Sequence, residues 1–338
     1  MTPPCPSAAP GRPFGRVLTA MATPFDSAGT LDLDKAAALA NQLVELGCDG
    51  LVLGGTTGES PTTTDAEKTE LIRAVRGAVG DQVTLVAGAG TYDTAHSVRQ
   101  AKDAERAGAN GLLVVTPYYS RPPQAGVLAH FTTVADATEL PVMLYDIPPR
   151  SVVPIAVDTL RRLAEHPRIL AVKDAKGDLI AGSEVLASTD LAYYSGDDGL
   201  NLPWLSIGAV GMVSVIGHVV ANRLRSMLDS YEGGDVSAAK TVHTGLIPVL
   251  RAFSRVGGVI FVKTALRLRG NDIGDPRLPL PPATEEQVQA IAGDLAEAGV
   301  PLAESPSSDL AAARVARHDA AAAYVTPTTH TSTGAVHP

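Results

Sequence analysis

From Val17 onward, short runs rich in valine, leucine and isoleucine alternate with longer segments of helical apolar spacing, and the alternation repeats eight times. Parallel strands joined by crossover helices produce this pattern, which makes the chain an α/β protein. Strands are predicted at 17–21, 50–53, 83–88, 111–116, 142–145, 169–173, 191–195 and 211–214. Helices are predicted between them, for example over 34–46, 65–79 and 94–107, several opening on Asp or Thr and closing on Gly47, Gly80 or Gly108. Eight βα units ending near residue 232 fit the scale of a (β/α)8 TIM barrel, whereas a doubly wound sheet usually stops at fewer strands.

The remaining chain divides by composition. Residues 1–14 read as a disordered Pro-rich leader and 15–232 as the barrel. Helical spacing at 236–253, 258–268 and 285–298 makes 233–303 a C-terminal helical appendage. From residue 304 to 338 the sequence turns to Ser, Ala, Thr and Pro, a low-complexity composition unable to bury a core, so a disordered tail is expected. The chain carries 36 acidic against 27 basic residues, a net charge of −9. That balance argues against a nucleic-acid or membrane-surface partner, and any anionic ligand must be held by a local cluster. Only Cys5 and Cys48 are present, with no disulfide framework and no C-x-x-C clip. No signal peptide opens the sequence and no long apolar window follows, so a reducing cytoplasmic setting is expected.

In a barrel, chemistry gathers at the C-terminal ends of the strands. Lys173 ends the apolar strand at 169–173, where burial favours an uncharged, nucleophilic amine; the other lysines fall in polar loops or on helix faces. A plainer reading pairs Lys173 with Asp174 or Asp197. Tyr145 ends the preceding strand and puts a phenol beside that amine, where it can carry protons while an imine forms. After the second strand, Gly54-Gly-Thr-Thr-Gly-Glu-Ser60 is a turn dense in glycine and hydroxyls. It is either a tight turn with a hydroxyl cap or an anion nest sized for a carboxylate. It lacks the lysine of a P-loop, and no G-x-G-x-x-G opens a helix after a strand.

Thr116-Pro-Tyr-Tyr-Ser-Arg-Pro-Pro123 places Tyr118 and Tyr119 at a strand end, in a site, at an interface or packed in the loop. Arg150, beyond Tyr145, can hold a second carboxylate bidentately or stay solvated. Asp197 and Asp198 read as the cap of the helix after the seventh strand, and His218 as a structural histidine. The histidines show no zinc-type spacing, and no metal site is read.

The ordered motifs GGTTGESPTTT, VTPYYSRPP, LYDIPPR, AVKDAKGD and SGDD resemble those of the dihydrodipicolinate synthase and N-acetylneuraminate lyase family of class I aldolases, from Gly15 to about Ala298. The resemblance implies that Lys173 forms a Schiff base with pyruvate and that Tyr145 relays protons, with Thr57 between Tyr145 and Tyr119. It implies that Thr56 and Thr57 hold the pyruvate carboxylate, that Gly196 and Val213 line its pocket, and that Arg150 receives the carboxylate of L-aspartate 4-semialdehyde. Tyr119 would reach into a neighbouring subunit's site, which implies a homo-oligomer of at least two chains; a tetramer, built as a dimer of dimers, is the expected assembly, and the sequence does not fix dimer against tetramer. No metal or organic cofactor is implied, since the imine is the electron sink.

Among the family's activities, Thr56-Thr57 and Arg150 favour this condensation, the opening step toward diaminopimelate and lysine, over cleavage of N-acetylneuraminate or 2-keto-3-deoxy sugar acids. A non-catalytic barrel would need no imine-forming amine, and a phosphate-binding barrel is opposed by the acidic SGDD. The chain departs from the family pattern at Asp146, usually Asn, at Pro149, which stiffens the approach to Arg150, and at His218, often Asn. Where lysine-inhibited members place His, Asn and Glu around an interface pocket, this chain has Lys68, Tyr92 and His96, so feedback by lysine is expected to be weak.

Overall fold

A computed structural model of the chain describes residues 11–303, so most of the expected leader and the whole expected tail lie outside the described residues. Eight strands are seen among them: β1 (Val17–Ala20), β2 (Gly50–Leu53), β3 (Thr84–Gly88), β4 (Gly111–Val115), β5 (Val142–Asp146), β6 (Ile169–Asp174), β7 (Ala192–Ser195) and β8 (Gly211–Ser214). They pair in parallel in sequence order, and β8 returns to β1, closing the (β/α)8 barrel. All of these elements belong to one compact unit that ends at Pro301.

Side chains alternate across a strand, so every second residue points into a barrel. Leu18, Val52, Val86, Leu113, Met143 and Val213 fill the interior, and the intervening residues face the helices. This double burial explains why the strands are apolar throughout rather than alternating. The helices begin where hydrogen-bonding caps stand: Asp32 accepts from Lys35 N, Asp93 from Ala95 N, and Thr64 forms a capping box with Glu67.

Two expectations need correction. The leader does not run to residue 14 as disordered chain: Phe14 is fully buried, edge-on to Tyr194, with its N–H donating to the Tyr194 hydroxyl. It closes the N-terminal end of the barrel, where a Cβ on Gly111 would stand 2.4 Å from its ring. The helical segment expected at 236–253 is two helices, Val236–Gly245 and Ile247–Val256, because Pro248 sits in the first turn of the second and has no N–H for a continuous ladder. The helices Gly258–Leu268 and Glu285–Glu297 complete the appendage, and Asp294 ties it together by accepting from Arg251 Nε at 2.7 Å and Arg255 Nε at 2.6 Å. Among the described residues no single helix is long and apolar enough to cross a membrane.

Candidate active site

The pairing of β5 with β6 sets Tyr145 opposite Lys173 and Asp146 opposite Asp174. Tyr145 and Lys173 share the inner face, both buried, and the lysine amine lies over the phenol ring, 4.0 Å from its centroid. Asp174 faces outward and accepts from the N–H groups of Lys176 and Gly177, while Asp197 accepts from Gly199 N. The carboxylates named as possible partners of Lys173 are therefore engaged elsewhere. Gly196 leaves room for the lysine stem: a Cβ there would stand 2.9 Å from Lys173 Cγ. Val213 packs in the same interior cluster as Tyr145.

Beside this pair opens a cavity of about 230 Å³, walled by Gly55, Thr56, Tyr118, Tyr145, Ile147 and Arg150 among others. Thr56, Tyr145 and Arg150 thus meet at one site. Lys173 is one side chain in from the wall, over Tyr145, and Thr57 is buried next to Thr56. Tyr118 lines the cavity and stacks edge-on against Tyr92, with ring centroids 5.4 Å apart. Tyr119 is 90% exposed on a backbone of φ 69°, and its ring does not join the cavity of its own chain. Arg150 is exposed at the rim, on a single helical turn, Pro148–Ser151, that the two prolines pre-shape.

The glycine-rich turn after β2 keeps its form through close backbone contacts. Gly54 has φ 62°, and a Cβ on Gly88 would fall 2.3 Å from the Gly54 carbonyl oxygen, so only glycine lets the turn fold over β3. Glu59 ends the turn in the left-handed region at φ 56°. Its buried carboxylate holds it there, 2.8 Å from Lys263 Nζ and accepting from Arg277 N at 2.8 Å. Lys263 also donates to the Asp275 carbonyl at 2.9 Å. The sequence reading missed this role. Lys263 is not on a solvated helix face but fully buried in the helix Gly258–Leu268, and burial pulls its pKa down while Glu59 pulls it back up.

Behind β8, Asp198 does not act as the cap expected of it; Asp197 alone caps the short turn Asp198–Leu200. Asp198 is buried and accepts from Val215 N at 2.8 Å, Ile216 N at 3.0 Å and Ser214 Oγ at 2.5 Å, which fixes the loop leaving β8. His218 is structural, as its position implied: Nδ1–H donates to the Val215 carbonyl and Nε2 accepts from Ala22 N. Burial pushes its pKa down to about 4, so the ring stays neutral. On the outer face of β5, burial lifts Asp146 to about 6 even though Lys176 stands beside it.

Residues 13–298 match the dihydrodipicolinate synthetase family. The chain belongs to this family. Its family relatives include the 4-hydroxy-tetrahydrodipicolinate synthase of Mycolicibacterium gilvum, 62% identical over 86% of this chain and 96% of the relative. The dihydrodipicolinate synthase of Bacillus anthracis superposes with a TM-score of 0.82 at 42% identity, covering 85% of this chain and 99% of that one. A lysine-bound synthase from Cyanidioschyzon merolae gives 0.83 at 39% identity, over 85% of this chain and 98% of that one.

Lys263→Met strands the Glu59 carboxylate in a dry site and should cost about 3 to 5 kcal/mol in urea unfolding. A loss under about 1 kcal/mol would mean the pair does not hold the turn. For His218, the folded pKa of about 4 lies below the ordinary 6.5, so its contribution to stability is complete above 6.5 and is lost as pH falls toward 4. Asp146 acts in the opposite sense below pH 6, so the measurement is a comparison. The fall in melting temperature between pH 7 and 5 should be shallower in His218→Asn than in the wild type, and equal slopes would refute the assignment.

Proposed function

We propose that the chain condenses pyruvate with L-aspartate 4-semialdehyde to 4-hydroxy-tetrahydrodipicolinate, the opening step toward diaminopimelate and lysine. The observation that carries this reading is the Lys173 amine held over the Tyr145 ring, on paired strands, beside a cavity walled by Thr56 and Arg150. Lys173 attacks the ketone carbon of pyruvate, and loss of water leaves an imine to the enzyme. Tyr145 passes protons to and from the departing oxygen, with Thr57 and a neighbouring subunit's Tyr119 completing the relay. Thr56 and Thr57 bind the pyruvate carboxylate, and Gly196 and Val213 shape the space around the imine.

Loss of a methyl proton turns the imine into an enamine, whose carbon attacks the aldehyde of the second substrate. The amino group of that substrate then closes on the imine carbon and releases Lys173. Arg150 receives the second carboxylate bidentately; a single guanidinium at the rim of a small cavity suits a short acid aldehyde better than a polyol. Metal and organic cofactors play no part, since the lysine imine carries the electrons.

Tyr119 supports an oligomeric enzyme, because a tyrosine 90% exposed on a left-handed backbone gains its purpose from a second copy of the chain. We read the assembly as a tetramer of two such dimers. Cys48 is a free thiol, buried with its pKa raised to about 11, which agrees with work in the cytoplasm.

The test is a coupled assay that adds the product-consuming reductase and follows NADPH loss. Wild type should turn over, Lys173→Ala should lose turnover, and Tyr145→Phe should fall about a hundredfold or more. Undiminished turnover in Lys173→Ala would refute the reading. In the same assay L-lysine should inhibit weakly, because Lys68 donates to the Thr63 carbonyl and puts a cation beside Asp65, which His96 also contacts. Strong inhibition at physiological lysine would contradict that.

A further inference from the structure

We propose that Asp146 is a positioning residue for Arg150: its side chain closes the segment that carries the arginine, and so sets the site for the second substrate. The inference rests on the reading of Arg150 given above. Asp146 is the last residue of β5, directly after Tyr145, and is fully buried on the outer face of the strand. Its Oδ1 accepts from the Ile155 N–H at 3.2 Å, nine residues further on. The excursion between these two residues is therefore tied at its base. It holds Ile147, Arg150 and Ser151, all on the cavity wall.

The tied segment has little freedom left. Pro148 and Pro149 fix the first turn, Ser151 Oγ donates to the carbonyls of Ile147 and Val153, and Gln124 holds the far end through Pro154 O and Ala156 N. Val152 is kept at φ 68°, a conformation a valine adopts only when its surroundings impose it. The second carboxylate oxygen of Asp146 lies 3.4 Å from Lys176 Nζ, and the Asp146 carbonyl accepts from Ala175 N, so the base is also joined to the chain that follows β6 and Lys173. An arginine on a free loop loses conformational freedom when it clamps a carboxylate, and one on a closed loop has lost it already. Asp146 thus bears on the second substrate more than on the first, because Lys173, Thr56 and Thr57 stand on other strands and loops and Tyr145 is held by the β5–β6 pairing whether or not the Asp146 carboxylate is present.

The experiment measures KM for both substrates in four variants. Asp146→Ala removes the acceptor and should raise KM for aspartate semialdehyde about tenfold or more, with KM for pyruvate within about twofold of wild type. Asp146→Asn keeps a carbonyl acceptor for Ile155 and should restore the wild-type value, and Lys176→Met, which removes only the ion pair, should stay near it. Arg150→Met tests the underlying reading: if it leaves KM for aspartate semialdehyde unchanged, that reading fails. If Arg150→Met raises this KM while Asp146→Ala changes neither KM, or both alike, the positioning role is overturned. Failure of Asn to restore the value overturns closure through Ile155. Should Asp146→Ala not fold, hydrogen exchange in the wild type decides: slow exchange of the Ile155 amide is expected, and exchange at an open-loop rate contradicts the proposal.

Discussion

The pairing of β5 with β6 is the constraint on which the site depends. Parallel register sets Tyr145 beside Lys173 on the inner face, and a slip of one residue by either strand would turn its own member of the pair outward among the helices. Closure of the barrel protects that register, since every strand is held by a neighbour on each side. The interior below is packed with aliphatic side chains and sealed by Phe14, so the amine sits in a dry environment next to a phenol. That placement sets an amine and a phenol side by side, the two groups that the proposed imine chemistry uses.

A second layer of buried polar groups keeps the loops around the pair in place. Glu59 with Lys263 locks the hydroxyl-rich turn against the C-terminal helices, which gives the appendage a part in the site rather than a packing role alone. Asp198 gathers two backbone N–H groups at the exit of β8, and Asp146 takes the Ile155 N–H at the base of the segment bearing Arg150. In a low-dielectric interior each such group is costly when unpaired and rigid when satisfied. The proposed catalytic pair can be simple because the layer behind it is not.

Much of this was legible in the sequence. The strands are short aliphatic runs bounded by glycine, and the helices carry their own caps, so 65–79 and 94–107 are seen as read. Lys173, Tyr145, Thr56 and Arg150 stood out because reactive side chains at strand ends converge in any barrel. What stayed hidden depends on distant partners. Phe14 is a lone aromatic in a Pro-rich stretch, and nothing local announces that Tyr194 receives it. Lys263 looks like the polar face of an amphipathic helix until Glu59, far back in the chain, is placed beside it. Asp198 has the spacing of a cap, yet its acceptors serve the loop after β8 instead. Tyr119 has no place in the cavity of its own chain, so the part proposed for it rests on a second copy.

In the proposed reaction Lys173 alone forms the covalent link to pyruvate. The most direct measurement is borohydride reduction of the protein with pyruvate, followed by peptide mapping by mass spectrometry. A single reduced adduct is expected on the peptide containing Lys173, formed without the second substrate. Modification of another lysine, or no adduct under conditions of full turnover, would contradict it.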